Sequence, residues 1–181
     1  TCDEARYQFE VNMFGLARLT QLVLPTMRQK RAGKIVNISS MGGKIYTPLG
    51  AWYHATKHAL EGWSDCLRFE LKQFNIDVII IEPGPIATEF ADVVFEQTQE
   101  RSGEGPYSQM VESMVSNATR AREQGRSLGS PPSVVANTIS RAIAANRPRT
   151  RYVAGSMARP LMLIRKYLGD RVFDWILERM M

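Results

Sequence analysis

Tyr53 and Lys57 stand four residues apart in the stretch YHATK, just after a loop rich in Ser, Gly and Pro. On a helix this spacing puts both side chains on one face. A free phenol has a pKa of about 10, and a neighbouring ammonium group lowers it. A general acid–base works best when its pKa is near the working pH. The pair therefore predicts proton transfer to a carbonyl oxygen or from an alcohol. The alternative is a packed Tyr beside a solvated Lys.

Three other polar features could belong to the same site. Ser40, 13 residues before Tyr53, follows a β-rich run and could hold a reacting oxygen, or could simply cap a loop. Asn12 lies in a predicted helix, where Asn is unfavourable, and could hold a water or only bend the helix. The stretch PGPIAT (83–88) is a turn that brings backbone close to a flat ligand, and Thr88 could donate to a phosphate.

The elements that must position these residues follow from hydrophobic periodicity and turn residues. Helical spacing covers residues 6–30 and 51–74, and β-rich or continuously apolar runs cover 34–39, 78–81 and 151–155. This alternation predicts an α/β fold with a parallel sheet of about three strands and flanking helices. In such sheets, ligands bind beyond the carboxyl ends of the strands, so we expect the polar features to converge there.

In the second half of the chain the sequence predicts a polar insertion, a helix after it and a helical tail. Residues 88–131 are polar and predict an insertion or lid with weak helical segments. Ser130 is the expected N-cap of the next helix, with Pro131 at its first position. Residues 156–181 predict an amphipathic helical segment. Its expected apolar side consists of Leu161, Ile164, Leu168, Val172 and Trp175.

Four stretches, taken together, resemble a known family. They are VNMFG, GKIVNISSMGG, YHATKHALEGWSDCLRFEL and IDVIIIEPGPIATEF, and they occur in the order and spacing of the short-chain dehydrogenase/reductase family. The resemblance is close over roughly residues 6–90 and looser beyond, where it is nearest to hydroxysteroid and retinol dehydrogenase-like members. It implies the later part of a Rossmann-like, doubly wound domain and an oxidoreductase that uses NAD or NADP on an alcohol or ketone, with a lipophilic substrate as one option.

The resemblance also implies residue roles. Tyr53 would be the catalytic acid–base and would also contact the cofactor, with Lys57 lowering its pKa and binding the nicotinamide ribose. Ser40 would position the substrate oxygen, and Asn12 would hold a water that leads to Lys57. The nicotinamide and pyrophosphate contacts would come from Pro83, Gly84, Ile86 and Thr88. Ser39 is expected to be structural, and His54 and His58 to be surface or packing residues.

In this family, a strand, a Gly-rich turn and a helix precede the matched region. The residue that selects NAD or NADP also lies in that preceding part. Because the match starts at the family's fifth helix, we expect a truncated single domain, residues 1–181, that is unable to bind cofactor normally. The strand at 34–39 would become an edge. We expect homo-oligomers through helices 6–30 and 51–74, which match the family's dimer helices.

Composition bounds the other function classes. The 181 residues are 44% apolar and 23% charged, typical of a globular domain, and no apolar stretch approaches the length of a membrane span. The first residues do not resemble a signal peptide, and two distant cysteines fit a reducing, cytoplasmic setting without a metal site. The net charge of +5 comes from residues 141–181, with nine basic and three acidic residues, against 14 and 15 before them.

The basic tail leaves alternatives open. Its charges are not interleaved with stacking aromatics, so a solvated helix face is favoured over nucleic-acid binding. A second function class is a non-catalytic remnant or self-associating scaffold, which cofactor binding would separate from an enzyme. A third is a peripheral membrane-surface binder, which loss of vesicle binding on deleting residues 160–181 would support.

Overall fold

The computed structural model describes residues 1–125 and 129–180; residues 126–128 of the predicted insertion and Met181 of the predicted tail lie outside them. Three parallel strands form one sheet in the order β1-β2-β3. The strands are β1 (Gly33–Ile38), β2 (Ile76–Pro83) and β3 (Arg151–Ala154). The α-helices of the described residues are α1 (Cys2–Phe9), α2 (Gly15–Lys30), α3 (Ala51–Leu71), α4 (Phe90–Ser102), α5 (Ser108–Glu123), α6 (Pro132–Ala144) and α7 (Ala158–Met180). The predicted α/β class and the order of elements are confirmed.

β2 is the central strand, and its apolar run is buried on both faces. Val78 packs with Ile35 of β1 and with Leu67 and Leu71 of α3 on one face. Ile79 and Ile81 pack with α6 on the other face. Since side chains alternate along a strand, a run apolar at every position needs cover on both sides. Helices on both faces make the sheet doubly wound, and in the described part of the chain β1 pairs only with β2.

α1 and α2 form the one long helix predicted for residues 6–30, but a π-helical turn at Glu10–Phe14 separates them. Asn12 lies in the middle of this turn. A Cβ at Gly15 would lie 3.3 Å from the Glu10 carbonyl oxygen, so Gly15 suits the widened turn. Such π-turns are rare and are frequent at functional sites.

Two details of the predicted helices are wrong. The N-cap of α6 is Pro131 rather than Ser130, and Pro132 takes the first turn. The Ser130 hydroxyl instead accepts a hydrogen bond from the Ser156 amide at 2.9 Å, because residues 129–130 run beside the strand ends. No helix in the described residues is long and apolar enough to cross a membrane.

The predicted apolar side of the tail is also wrong. Gly169 has φ 75° and ψ −173°, which breaks α7 into two helical pieces. A helical period cannot be carried across a non-helical residue, so the second piece turns a different side inward. Leu161 and Phe173 are buried against Ile45, whereas Leu168 and Trp175 are exposed.

Candidate active site

Ser40 and the Pro83–Gly84 turn leave the sheet at the same edge. Ile38 and Ile81 are partners in the parallel register, and the Ser39 amide donates to the Ile81 carbonyl at 2.8 Å. Chains leaving adjacent parallel strands therefore start side by side. α3 crosses next to them and brings Tyr53 and Lys57 to this edge, as the sequence predicted for the carboxyl ends of the strands.

Ser40 connects the loop to Tyr53. Its backbone is extended, and its hydroxyl accepts a hydrogen bond from the Gly42 amide at 3.0 Å, so it does cap a short turn. The Ser40 side chain also lies close enough to the Tyr53 phenol to lower its pKa. A serine hydroxyl can donate once and accept twice, so it can favour the phenolate while it caps the turn.

The pKa of the Tyr53 phenol is raised, contrary to the lowered value expected from the sequence. Burial is the largest cause, and the nearby Ser40 hydroxyl acts against it. Lys57 Nζ lies over the Tyr53 ring, 5.8 Å from its centroid. Desolvation of the phenolate therefore decides the direction of the shift.

Lys57 is held against the end of β1. Its Nζ donates to the Ile38 carbonyl at 3.0 Å, which uses one of the three ammonium donors. Burial lowers the pKa of Lys57, and the negative charge of Glu61 opposes that change. The ammonium is thus anchored near Tyr53 with donors left for a ligand.

Asn12 reaches α3 through Thr56, which the sequence reasoning missed. Asn12 Nδ2 donates to Thr56 Oγ1 at 3.1 Å, and Thr56 Oγ1 donates to the Tyr53 carbonyl at 2.8 Å. Asn12 thus lies next to the residue before Lys57, and the predicted water link to Lys57 stays a prediction. The sequence feature that could have indicated this contact is Thr56 itself. It lies inside a helix between Tyr53 and Lys57, where its hydroxyl needs a hydrogen-bond partner.

His54 fastens the loop that carries Ser40 to α3. The Thr47 amide donates to His54 Nε2 at 3.0 Å, so that nitrogen is the acceptor and Nδ1 carries the proton. His54 Nδ1 then donates to the Gly42 carbonyl at 2.9 Å. Burial lowers the pKa of His54, which keeps the ring neutral. His54 is therefore a packing residue with a specific structural task, and His58 is exposed.

We expect His54→Gln to destabilise the chain by about 1–3 kcal/mol, because the Thr47 amide and Gly42 carbonyl lose their partner. The folded pKa of His54 is below its unfolded value. Its contribution to stability is therefore present above the unfolded pKa and lost as pH falls through the folded pKa. Urea unfolding at several pH values measures both effects. His58→Gln is the matched control, and equal losses in the two variants would contradict this role.

The loop after β2 is fixed by two neighbouring segments. The Gly84 amide donates to the Ala154 carbonyl at 2.8 Å, and the Ala87 amide donates to the Ser130 carbonyl at 2.9 Å. A Cβ at Gly84 would lie 2.6 Å from the Ser156 carbonyl oxygen, so only glycine fits there. Ile86 forms a bridge with Ser130. The stretch predicted to bind the cofactor is thus a loop held in place at the edge of the sheet where β2 ends, and its cofactor role stays a prediction.

Thr88 and the predicted lid follow this loop. Thr88 is exposed, and its hydroxyl accepts from the Phe90 amide at 3.4 Å, which leaves its proton able to donate. α4 then begins, and the Phe90 ring centroid lies 5.9 Å from that of Tyr53. Val93 and Val94 of α4 are exposed as well. An apolar helix face therefore lies next to the phenol.

The arrangement was compared with known proteins. The family model described as short chain dehydrogenase matches residues 2–99, slightly more than half of the chain. The chain is 36% identical over 171 residues to the uncharacterized oxidoreductase YbbO of Escherichia coli K12, covering 94% of this chain and 58% of that protein. It is 35% identical over 160 residues to retinol dehydrogenase 8 of Bos taurus, covering 87% of this chain and 51% of that protein.

A solved structure supports the same family assignment. A short-chain dehydrogenase from Streptomyces avermitilis superposes with a TM-score of 0.68 at 32% identity, over 90% of this chain and 56% of that one. The chain therefore spans little more than half the length of the relatives it matches. The family resemblance read from the four sequence stretches is confirmed, and the chain belongs to the short-chain dehydrogenase family.

Proposed function

We propose that this chain carries the catalytic part of an NAD(P)-dependent oxidoreductase that interconverts an alcohol and a ketone. The observation that carries the proposal is the meeting of Ser40, Tyr53 and Lys57 at one sheet edge, with Ser40 close enough to Tyr53 to lower its pKa and with an anchored ammonium. Membership of the dehydrogenase family supports it.

Tyr53, Ser40 and Lys57 have separate roles in proton transfer. Because its pKa is raised, Tyr53 holds its proton at neutral pH and can give it to a carbonyl oxygen as that oxygen gains negative charge. The Ser40 hydroxyl lies near the phenol, so a substrate oxygen placed between them would meet both hydroxyls. In the reverse direction Tyr53 accepts the alcohol proton, and the Lys57 charge stabilises the phenolate.

The residues fit the nicotinamide–ribose end of a dinucleotide. Lys57 uses one donor on the Ile38 carbonyl and keeps others for ribose hydroxyls. Pro83, Gly84 and Ile86 form the braced loop that would lie against the ring, and Thr88 would donate to the pyrophosphate. When bound, NAD or NADP accepts or supplies the hydride.

A lipophilic substrate fits the apolar face of α4. Phe90, Val93 and Val94 are exposed on this helix, and the Phe90 ring lies 5.9 Å from the Tyr53 ring. Retinol dehydrogenase 8, whose name includes a lipophilic alcohol, is among the relatives. Residues 88–131 would then act as the substrate lid.

Cofactor binding and turnover test the proposal against a non-catalytic scaffold. The chain would be assayed alone and also fused behind the part of YbbO that precedes the matched region. Binding of NADH and NADPH is measured by nicotinamide fluorescence. Turnover is measured as oxidation of each cofactor in the presence of a panel of ketones. We expect binding and turnover in the fusion. If neither polypeptide binds or oxidises either cofactor, the proposal is wrong and the scaffold function is favoured.

We further propose that the chain forms homo-oligomers through α1, α2 and α3. Exposed apolar side chains recur along α1, the π-helical turn and α2, at Tyr7, Val11, Phe14 and Leu22, with Phe69 on α3. A row of this kind is typical of an interaction surface.

We expect light scattering at micromolar concentration to show at least a dimer. Leu22→Glu places a charge in the apolar row and should weaken the assembly, whereas Leu163→Glu on α7, at a similarly exposed leucine, should not. A monodisperse monomer in the unchanged chain would contradict the proposed interface.

A further inference from the structure

Ser40 begins a short turn that is closed by its own backbone. The Gly43 amide donates to the Ser40 carbonyl at 2.9 Å, and the Lys44 amide donates to the Met41 carbonyl at 2.9 Å. Inside the same turn, the Ser40 hydroxyl accepts from the Gly42 amide at 3.0 Å. Ser40 and Lys44 are therefore the two ends of one hydrogen-bonded unit, and a contact made by Lys44 also restrains Ser40.

Lys44 links the far end of this turn to α3. Its Nζ lies 2.9 Å from Glu61 Oε2, and the Lys44 side chain keeps 37% of its surface exposed. Glu61 is buried, with 3% of its surface exposed, and it belongs to the helix that carries Tyr53 and Lys57. The ion pair thus joins the loop that carries the serine to the helix that carries the phenol.

Glu61 is a fixed partner for Lys44. Its Oε2 also accepts from Arg151 Nε at 3.0 Å and from Arg151 Nη2 at 2.9 Å. Since Arg151 begins β3, one carboxylate oxygen joins the turn, α3 and β3. Surface ion pairs are usually weak, in part because two mobile side chains must be ordered. Here the carboxylate is already held by the arginine, so less ordering is needed when Lys44 binds it.

The turn also packs directly against α3. A Cβ at Gly43 would lie 2.9 Å from Glu61 Cγ and 2.9 Å from the Lys57 carbonyl oxygen, so a larger residue would not fit there. The backbone of the turn therefore lies on the helix between these two residues. The ion pair closes a contact between segments that are already adjacent.

The turn is attached to α3 at two points. His54 Nδ1 donates to the Gly42 carbonyl at 2.9 Å, and Glu61, seven residues further along the helix, binds Lys44. A segment attached at one point can pivot, whereas attachment at two points fixes its tilt as well as its distance. Because Tyr53 lies on the same helix, the two attachments hold the hydroxyl that begins the turn in a fixed relation to the phenol.

We propose that Lys44 is a positioning residue for Ser40. Its ion pair with Glu61 keeps the Ser40 hydroxyl facing the Tyr53 phenol. The inference rests on the proposed function, in which these two hydroxyls meet the substrate oxygen. Lys44 acts on the phenol through the turn and not through a contact of its own.

The experiment is a ¹⁹F NMR titration of the chain carrying 3-fluorotyrosine, which ionises at lower pH than tyrosine. The Tyr53 signal is assigned by its loss in Tyr53→Phe. Because the Ser40 side chain lowers the pKa of Tyr53, we expect Ser40→Ala to raise that pKa by about 0.5–1 pH unit, the usual contribution of one hydrogen-bonding group. Lys44→Met should also raise it, since the hydroxyl moves away from the phenol.

The variant that combines Lys44→Met with Ser40→Ala separates position from charge. A direct effect of the Lys44 charge on the phenolate would persist without the Ser40 hydroxyl, whereas an effect through the turn needs that hydroxyl. We therefore expect the combined variant to match Ser40→Ala alone. Lys44→Arg keeps the ion pair and should leave the Tyr53 pKa unchanged, as should Lys72→Met at an exposed lysine just beyond α3.

Lys44→Met is expected to fold, because Glu61 keeps both Arg151 contacts and Ile45 stays buried against α7. Lys44→Gln is a second, more polar variant with the same expected result. An unchanged Tyr53 pKa in either single variant, or a Lys44→Met effect that persists in Ser40→Ala, would overturn the inference. The titration needs no cofactor and no turnover, so its failure is distinct from a failure of the proposed oxidoreductase activity.

Discussion

Tyr53→Phe is expected to lower the turnover number about 100-fold or more in the YbbO fusion, while affinity for NADH or NADPH stays nearly unchanged. The substitution removes only the phenol hydroxyl beside Ser40, and positioned general acids typically contribute about 10²–10⁴ in rate. Lys57 and the loop at 83–88 keep their places. Stopped-flow measurement of cofactor oxidation gives the rate, and fluorescence titration gives the affinity.

Tyr46→Phe is the matched control, because it removes a phenol hydroxyl that donates to Asp174 at 2.6 Å and lies outside the site. It should turn over at nearly the unchanged rate. The raised pKa of Tyr53 adds a test of sign: ketone reduction should be insensitive to pH around neutrality, and alcohol oxidation should rise with pH as the phenol loses its proton. Full activity in Tyr53→Phe would remove Tyr53 from the mechanism.

Arg151→Met is expected to cost about 3–5 kcal/mol in the free energy of unfolding, the largest stability effect we anticipate. Arg151 is shared by Glu61, Asp65 and Glu82, so its loss leaves buried carboxylates with too little positive charge. Removing one partner of a buried ion pair typically costs this much. Urea unfolding followed by circular dichroism measures the change.

The pH dependence of this loss has a definite sign. Since burial raises the folded pKa of Glu82 from 4.5 to about 7, its contribution to stability is present below the unfolded value and is lost as pH rises through the folded one. The deficit in Arg151→Met should therefore be smaller at pH 5 than at pH 8. Arg149→Met, an exposed neighbour, is the control, and equal stability of the two variants would contradict the shared-cation role.

Local rules were sufficient to predict the sheet and the placement of the site. The run from Val78 to Ile81 has no polar position, so it had to be a central strand covered on both faces. The carboxyl ends of β1 and β2, with α3 crossing beside them, then bring Ser40, Tyr53 and Lys57 to one edge. These predictions depend on neighbours in sequence and on general properties of parallel sheets.

Long-range polar contacts were not predictable in this way. Glu61 and Arg151 are 90 residues apart, and a sequence pattern alone does not show that both are drawn inward to meet Glu82. The raised pKa of Tyr53 likewise depends on burial, which the spacing of Tyr53 and Lys57 in the sequence does not show. The buried side of the tail was not predictable either, because Gly169, a single residue with positive φ, changes which side of α7 is buried.

The most direct test of the central claim is isotope transfer from the cofactor to the product. The YbbO fusion would be incubated with a ketone and NADPH or NADH carrying deuterium at the transferable C4 position, and the alcohol would be analysed by mass spectrometry. We predict one deuterium in the alcohol, formed at a rate that falls about 100-fold in Tyr53→Phe and not in Tyr46→Phe. An alcohol without deuterium, or equal rates in the two variants, would contradict the account.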